Sequence, residues 1–131
     1  MYKELIISII LIILIFIGNF FTGKWVDDAV AKETEILNEL RLEIIKDDEE
    51  IDDNLSKEKV DLAHKNWDDQ YEKLAYYVEH KQLEDIETEL TALRGYIEKK
   101  EYGDALPELD KSIYILSHFK DKTDFNLKNI F

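Results

Sequence analysis

Three histidines and thirty carboxylates are the residues of this chain best suited to acid–base or metal chemistry. Nucleophilic catalysis needs a Cys or Ser beside a base, and metal-assisted hydrolysis needs two His on one helical face with an acid. The chain has no Cys, and His64, His80 and His118 are scattered along it. We therefore expect a protein that is not an enzyme, with no catalytic, cofactor-binding or metal-binding residue.

Two of the histidines have a carboxylate one helical turn away, since His64 precedes Asp68 by four residues and His80 precedes Glu84 by four. Such a pair binds a metal ion when a third ligand joins it. At this spacing it also forms an ordinary ion pair on a helix surface. We expect ion pairs or capping contacts here, with His80 at a helix end.

The residues from Asp47 to Asp53 include six carboxylates in seven positions. A calcium loop needs oxygen ligands at alternating positions, a central glycine and a closing Glu, and Ile51 stands where such a loop must turn. We expect a solvated helix end, and weak, exchangeable cation binding stays open as the alternative.

Aromatic side chains suit either a ligand pocket or a core, and four of them fall close together: Trp67, Tyr71, Tyr76 and Tyr77. Trp67 and Tyr71 belong to a regular apolar series, which favours core packing, whereas Tyr76 lies off that series and is expected to be exposed. Trp25 follows an apolar segment, where tryptophan commonly anchors at the membrane interface.

The elements that position these residues begin with nineteen uncharged residues from Leu5 to Gly23. At 1.5 Å per helical residue they cover roughly 28 Å, close to the thickness of a bilayer's hydrocarbon core. We predict a short cytoplasmic stub over residues 1–4, a transmembrane helix acting as a signal anchor over residues 5–23, and an acidic helical domain over residues 24–131.

A cleaved secretory signal is the alternative to this anchor, because Ala29-Val30-Ala31 resembles a signal peptidase site. The apolar run is longer than the roughly 7 to 15 residues of a signal peptide core, which favours the anchor. Lys3 and the terminal amine on one side of the segment nearly balance Lys24 and Lys32 on the other. A short stub before a strongly apolar first segment favours an extracytoplasmic domain, in a single-pass protein of the cell membrane.

The formal net charge of −13 restricts the partners of the domain. Nucleic acid is not expected, since binding phosphates requires clustered Lys and Arg. The same charge is expected to hold the domain away from anionic lipid instead of flat upon it. The expected partners are the lipid bilayer, through residues 5–23, and an integral membrane protein, with homo-oligomer formation left open.

Beyond the anchor, apolar residues recur with a helical period, which predicts an all-α fold: one N-terminal transmembrane helix followed by an up-and-down antiparallel bundle of about four helices. The predicted apolar stripes are Val26, Val30, Leu37, Leu40, Ile44 and Ile51; Val60, Ala63, Trp67, Tyr71, Leu74 and Val78; Leu83, Ile86, Leu90, Leu93 and Ile97; and Leu106, Leu109, Ile113 and Leu116.

The first stripe is expected to continue directly from the membrane helix, with Glu33, Glu35, Glu39 and Glu43 on its flanks and outer side. A phase jump near Glu58 predicts a turn.

Other breaks in the pattern predict where the remaining helices begin and end. Asp53, Asn54 and Ser56 are candidates to cap the second helix, and a break is expected at residues 80–82. Gly103 is expected to close the third helix before Asp104 caps the fourth. Residues 121–131 are expected to fold back over the bundle.

A repeat architecture is an alternative to the bundle, because residues 96–116 have the helix-turn-helix rhythm of a tetratricopeptide unit. Only one such unit is visible in the sequence, which favours the bundle.

The segment from Glu79 to Phe119, EHKQLEDIETELTALRGYIEKKEYGDALPELDKSIYILSHF, with the terminal LKNIF, resembles the bacterial family called domain of unknown function 4363. The matching positions include His80, Ile86-Glu87, Leu90 and Asn129-Ile130-Phe131. The resemblance supplies no activity. It implies a small membrane-tethered protein of spore-forming Gram-positive bacteria, encoded beside a larger integral membrane protein.

Two functions are therefore expected as alternatives. The first is a non-catalytic helical bundle held at the membrane as an interaction or accessory module for another membrane protein. The second is an extracytoplasmic sensor-like bundle that binds a small molecule or a divalent cation.

Overall fold

A computed structural model describes the backbone of residues 1–76 and 78–130 and the side chains of residues 1–76 and 78–119. These residues form four helices: α1 (Tyr2–Ile44), α2 (Asp53–Leu74), α3 (His80–Glu98) and α4 (Tyr102–Ile130). The prediction of an all-α protein is confirmed.

The helices pack as a ring in which α1 contacts α2 and α4, and α3 also contacts α2 and α4. Short connections make consecutive helices antiparallel, as in an up-and-down bundle. The predicted bundle is confirmed, and its first helix is the continuation of the apolar N-terminal segment.

The core lies between the four apolar faces, and the predicted stripes supply most of it. Every predicted residue of the first and third stripes is buried, whereas Tyr71, Val78, Leu106 and Ile113 are only partly buried. The sequence prediction did not include Ile36, Tyr102, Ala105 and Phe119, which also lie in the core.

Helix α1 is unbroken for 43 residues. The most apolar part of its N-terminal half has no buried residue, and burial against the other helices begins only at Gly23 and Val26. The predicted direct continuation of the apolar segment into the bundle is confirmed.

The α1–α2 turn differs from the prediction in its capping residue. Asp52 caps α2, because its side chain accepts a hydrogen bond from the Leu55 N–H at 3.0 Å. This contact satisfies one of the free N–H groups of the first turn. Ile51 is buried within the turn and not on α1, which ends at Ile44.

Helix α3 ends without glycine, which corrects the predicted role of Gly103. The Glu101 N–H donates to the Tyr96 carbonyl at 2.9 Å, and the Lys100 N–H donates to the Ile97 carbonyl at 3.1 Å. These are the two bonds of a Schellman motif, whose left-handed position glycine usually occupies. Here Lys100 takes it, with φ of 60°, and Gly103 lies in the first turn of α4.

Two further boundaries differ from the sequence prediction. Helix α2 ends at Leu74 and α3 begins at His80, so the break precedes the predicted one at residues 80–82. Helix α4 continues to Ile130, so residues 121–130 extend the last helix and do not fold back. Tyr77 and Phe131 lie outside the described residues.

Candidate functional site

The N-terminal half of α1 is a candidate membrane span by length and composition. Its large side chains face outward around the whole helix: among those at least 46 % exposed are Leu5, Ile9, Leu14, Ile17 and Phe20. Continuous apolar surface of this kind is unfavourable in water and favourable in a bilayer.

Glu33 is buried between α1 and α2, which corrects its predicted place on the outer side. Only 1 % of its surface is exposed. The Asn66 side-chain amide donates to Glu33 Oε2 at 2.6 Å, whereas buried Oε1 has no hydrogen-bond partner. Burial raises the pKa of Glu33 from 4.5 to about 7, although the Asn66 hydrogen bond opposes the shift. The carboxyl therefore titrates near neutral pH.

Glu43 is also buried, against the prediction, at the end of α1. Its Oε1 accepts the Asp52 N–H at 2.8 Å, and its Oε2 accepts Lys46 Nζ at 2.7 Å. The Lys46 contact, with help from the Asp52 N–H, lowers the pKa of Glu43. Glu43 thus ties the helix end to the turn that carries the acidic run.

The acidic run does not converge on one point. Asp47, Asp48, Glu49 and Glu50 are exposed, and Asp52 caps α2. Asp53 accepts a hydrogen bond from the Tyr102 hydroxyl and pairs with Lys100 Nζ at 3.1 Å.

The Tyr102 hydrogen bond, followed by the Lys100 contact, lowers the pKa of Asp53, and burial beside Asp53 raises the pKa of Tyr102 to about 12. The residues with described side chains contain no group of three or more His, Asp or Glu arranged to hold a metal ion.

The three histidines lie apart and make separate contacts. His64 Nε2 lies 2.7 Å from the Leu90 carbonyl oxygen, which links α2 to α3. His80 begins α3 and its Nε2 lies 3.2 Å from Glu84 Oε1, as expected for an ion pair at a helix end. His118 Nδ1 lies 3.2 Å from the Tyr114 carbonyl oxygen within α4.

The aromatic residues divide between the core and the surface. Trp67 is buried and packs edge-to-face against Phe119 with ring centroids 6.3 Å apart, which confirms core packing. Tyr71 is half-buried, and Tyr76 is 85 % exposed as predicted. Trp25 is partly buried against the bundle core, a contact that the sequence prediction of an interfacial anchor did not include.

Two open grooves were not evident from the sequence, because each joins residues far apart in the chain. A groove of about 660 Å³ between α1 and α4 is lined by Val30, Ala31, Thr34, Glu35, Asn38, Glu39, Leu42, Ile113 and Ser117, among others. A second, of about 460 Å³, is lined by Phe21, Thr22, Trp25, Lys73 and Tyr76. The first runs along the outer side of the bundle, and the second lies where α1 enters it.

Comparison with known proteins gives one assignment. The family model described as Domain of unknown function (DUF4363) matches residues 24–130, which is nearly all of the chain that follows the apolar segment. No curated protein and no solved structure matches the chain. Because the matched region covers most of the sequence, the chain belongs to the DUF4363 family.

Proposed function

We propose that this protein is a single-pass membrane protein whose helical bundle serves, without catalysis, as an accessory module for another membrane protein. The observation that carries the proposal is the unbroken helix α1, which joins the apolar segment to the bundle with no flexible linker. A continuous helix holds the bundle at a fixed distance and orientation relative to the bilayer.

The groove between α1 and α4 is the proposed docking surface for the partner. Leu42 is 66 % exposed beside it, and Ile113 forms part of its wall. Glu35, Asn38 and Glu39 add polar groups to the same groove. An apolar centre with a polar rim is typical of protein–protein interfaces. Because α1 forms one wall, the partner would contact the helix that enters the membrane.

We propose that the bundle lies outside the cytoplasm, which is the orientation that a signal anchor gives to the domain that follows it. The chain has no native Cys, so a single introduced Cys reports sidedness. Glu49→Cys suits this test because Glu49 is exposed in the α1–α2 turn. A membrane-impermeant thiol reagent labels it in intact cells if the bundle is outside; labelling only after lysis reverses the orientation.

The docking proposal is tested by placing a photo-crosslinking amino acid at Leu42 in cells, with Leu62 as the matched control. Both are exposed leucines, and Leu62 lies on α2, away from the α1–α4 groove. We expect a discrete adduct with one integral membrane protein from position 42 and none from position 62. Leu42→Asp is expected to abolish co-purification of that protein. Equal, diffuse crosslinking from both positions would refute the docking surface.

The sensor-like bundle is the second candidate, because a groove of about 660 Å³ falls within the size range of small-molecule sites. Calorimetric titration of the full chain distinguishes the two. Saturable binding of calcium, or of a small molecule whose affinity Leu42→Asp lowers, would favour a sensor. A second copy of the chain is another possible result of the crosslinking experiment at position 42. An adduct of twice the chain's mass would identify that second copy as the partner.

A further inference from the structure

We propose that the groove formed by Phe21, Thr22, Trp25, Lys73 and Tyr76 holds the headgroup of a membrane phospholipid, with its phosphate at Lys73. This inference rests on the proposed function, because it requires that α1 spans the bilayer. It adds a second contact with the membrane, made by a part of the chain remote in sequence from the anchor.

The register of α1 against α2 places this groove at the membrane surface. Lys59 of α2 pairs with Glu39 of α1 at 2.6 Å. Nearer the membrane, Asn66 of α2 donates a hydrogen bond to Glu33 of α1 at 2.6 Å. Two turns of α2 beyond Asn66, Lys73 reaches the level of Phe21–Trp25. The end of α2 therefore arrives where the uncharged run of α1 stops, which is the headgroup level of a spanning helix.

The groove has the composition of a membrane interface. Its aromatic members are Phe21, Trp25 and Tyr76, and Phe21 and Tyr76 keep more than half of their surface exposed. Aromatic rings with one polar end favour the headgroup region. Full exposure of Tyr76 to water leaves a large apolar ring unburied, whereas a bilayer surface at this level covers it.

The positive charge of Lys73 indicates that the groove holds an anionic group. Lys73 is its charged lining residue, and the Thr22 hydroxyl is a second hydrogen-bond donor. A long lysine side chain buries its methylene stem along apolar surface and presents its ammonium group to phosphate. The chemistry fits the phosphodiester of a lipid whose acyl chains lie against the apolar part of α1.

The run from Asp47 to Asp53 does not oppose this contact, because it lies at the opposite end of the bundle. From Gly23 to Ile44, α1 rises by roughly 30 Å at 1.5 Å per residue. The Debye length at physiological ionic strength is about 8 Å, so the run from Asp47 to Asp53 is screened from the bilayer surface. The bundle stands end-on, with its membrane end at the headgroups.

The test uses full-length protein in nanodiscs that contain phosphatidylglycerol and phosphatidylethanolamine, with one fluorescent label on an introduced Cys. Glu79→Cys reports the groove end without altering a lining residue, and Glu49→Cys is the matched control in the opposite turn; both glutamates are exposed. Ile10→Cys reports the anchor. Quenching is measured with nitroxides on the lipid headgroup or on the acyl chain.

We expect headgroup nitroxide to quench the label at position 79 at least twofold more than the label at position 49, and acyl nitroxide to quench the label at position 10. Lys73→Glu should at least halve the quenching at position 79, while Lys65→Glu, on the same helix, should leave it unchanged. An unaltered near-UV circular dichroism spectrum, to which buried Trp67 contributes, shows that each variant keeps its fold.

Equal quenching at positions 79 and 49, with position 10 quenched, would overturn the headgroup site and leave the anchor intact. No effect of Lys73→Glu would overturn the role of Lys73. Absence of acyl quenching at position 10 would overturn the anchor, and the headgroup site with it.

Discussion

Replacement of Glu33 by glutamine should make the bundle more stable at pH 8 than the unchanged protein. The raised pKa of Glu33 means that the folded state keeps a proton that the unfolded chain has already lost. Between pH 4.5 and about 7 the carboxyl therefore stabilises the fold less and less as pH rises. The stabilising contribution of the protonated Glu33 carboxyl is fully present below pH 4.5 and is lost above about pH 7.

The size of the effect follows from the shift. One pKa unit corresponds to about 1.4 kcal/mol, so a rise from 4.5 to about 7 costs about 3 kcal/mol once Glu33 is ionised in the folded state. Glutamine is uncharged and can still accept the Asn66 amide hydrogen bond, so it removes the charge at little structural cost. Relative to the unchanged protein, we expect Glu33→Gln to gain about 2 to 3 kcal/mol between pH 5 and pH 8.

The assay is urea unfolding of the full chain in detergent micelles at pH 5, 6, 7 and 8, followed by near-UV circular dichroism. Trp67 is a suitable reporter, because it is buried and adjacent to Asn66. Glu35→Gln is the matched control, since Glu35 is exposed on the same helix. The hydrogen bond with Glu108, followed by burial, also raises the pKa of Glu89, but Glu89 is common to all variants and its effect cancels in the comparison.

The reasoning is refuted if the difference between Glu33→Gln and the unchanged protein is the same at pH 5 and pH 8. It is refuted equally if Glu35→Gln shows the same pH-dependent gain.

Three further substitutions test the packing and the turns, each by the same urea unfolding at pH 7. Leu90→Ala should lower the free energy of unfolding by about 2 to 5 kcal/mol because Leu90 is fully buried, whereas Leu62→Ala on the exposed side of α2 should change it by less than about 0.5 kcal/mol. Gly95→Ala should raise it by about 0.5 to 1 kcal/mol, since an added Cβ meets nothing within 4 Å and alanine favours a helix interior; a loss would contradict the packing around α3. Lys100→Gly should raise it by up to about 1 kcal/mol, because relief of the left-handed backbone exceeds the loss of the exposed ion pair with Asp53; a lower free energy of unfolding would contradict this.

Helix number, order and core were predictable because the apolar residues repeat at steps of three and four. Spacing of this kind gives a helix one apolar face, and the hydrophobic effect buries that face in a core. The residues of α3 that show it are Leu83, Ile86, Leu90, Leu93 and Ile97. The length of the uncharged run likewise predicted a helix suited to a bilayer.

The helix ends were less predictable, because several residues compete for each cap. Asp52, Asp53, Asn54 and Ser56 are all able to cap α2, and only the path of the turn selects Asp52. The end of α3 is set by the route into α4, which places Lys100 in a conformation that glycine usually adopts. The conformational preferences of the residues around Lys100 do not predict the path of the chain from α3 into α4.

The candidate sites were the least predictable part. Periodicity assigns a charged residue such as Glu33 to the outside, because an unpaired buried carboxylate is costly. In the fold the Glu33 carboxylate accepts a hydrogen bond from Asn66, 33 residues later in the chain. The groove beside Trp25 similarly needs Lys73 from another helix. Contacts between distant residues leave no pattern in a single sequence.

Membrane attachment through α1 is tested most directly by fractionating cells that make the full chain and washing the membranes at alkaline pH. The account predicts that the intact chain stays in the washed membrane pellet, and that deletion of residues 5–22 releases the bundle into the soluble fraction. Recovery of the intact, full-length chain in the soluble fraction would contradict it.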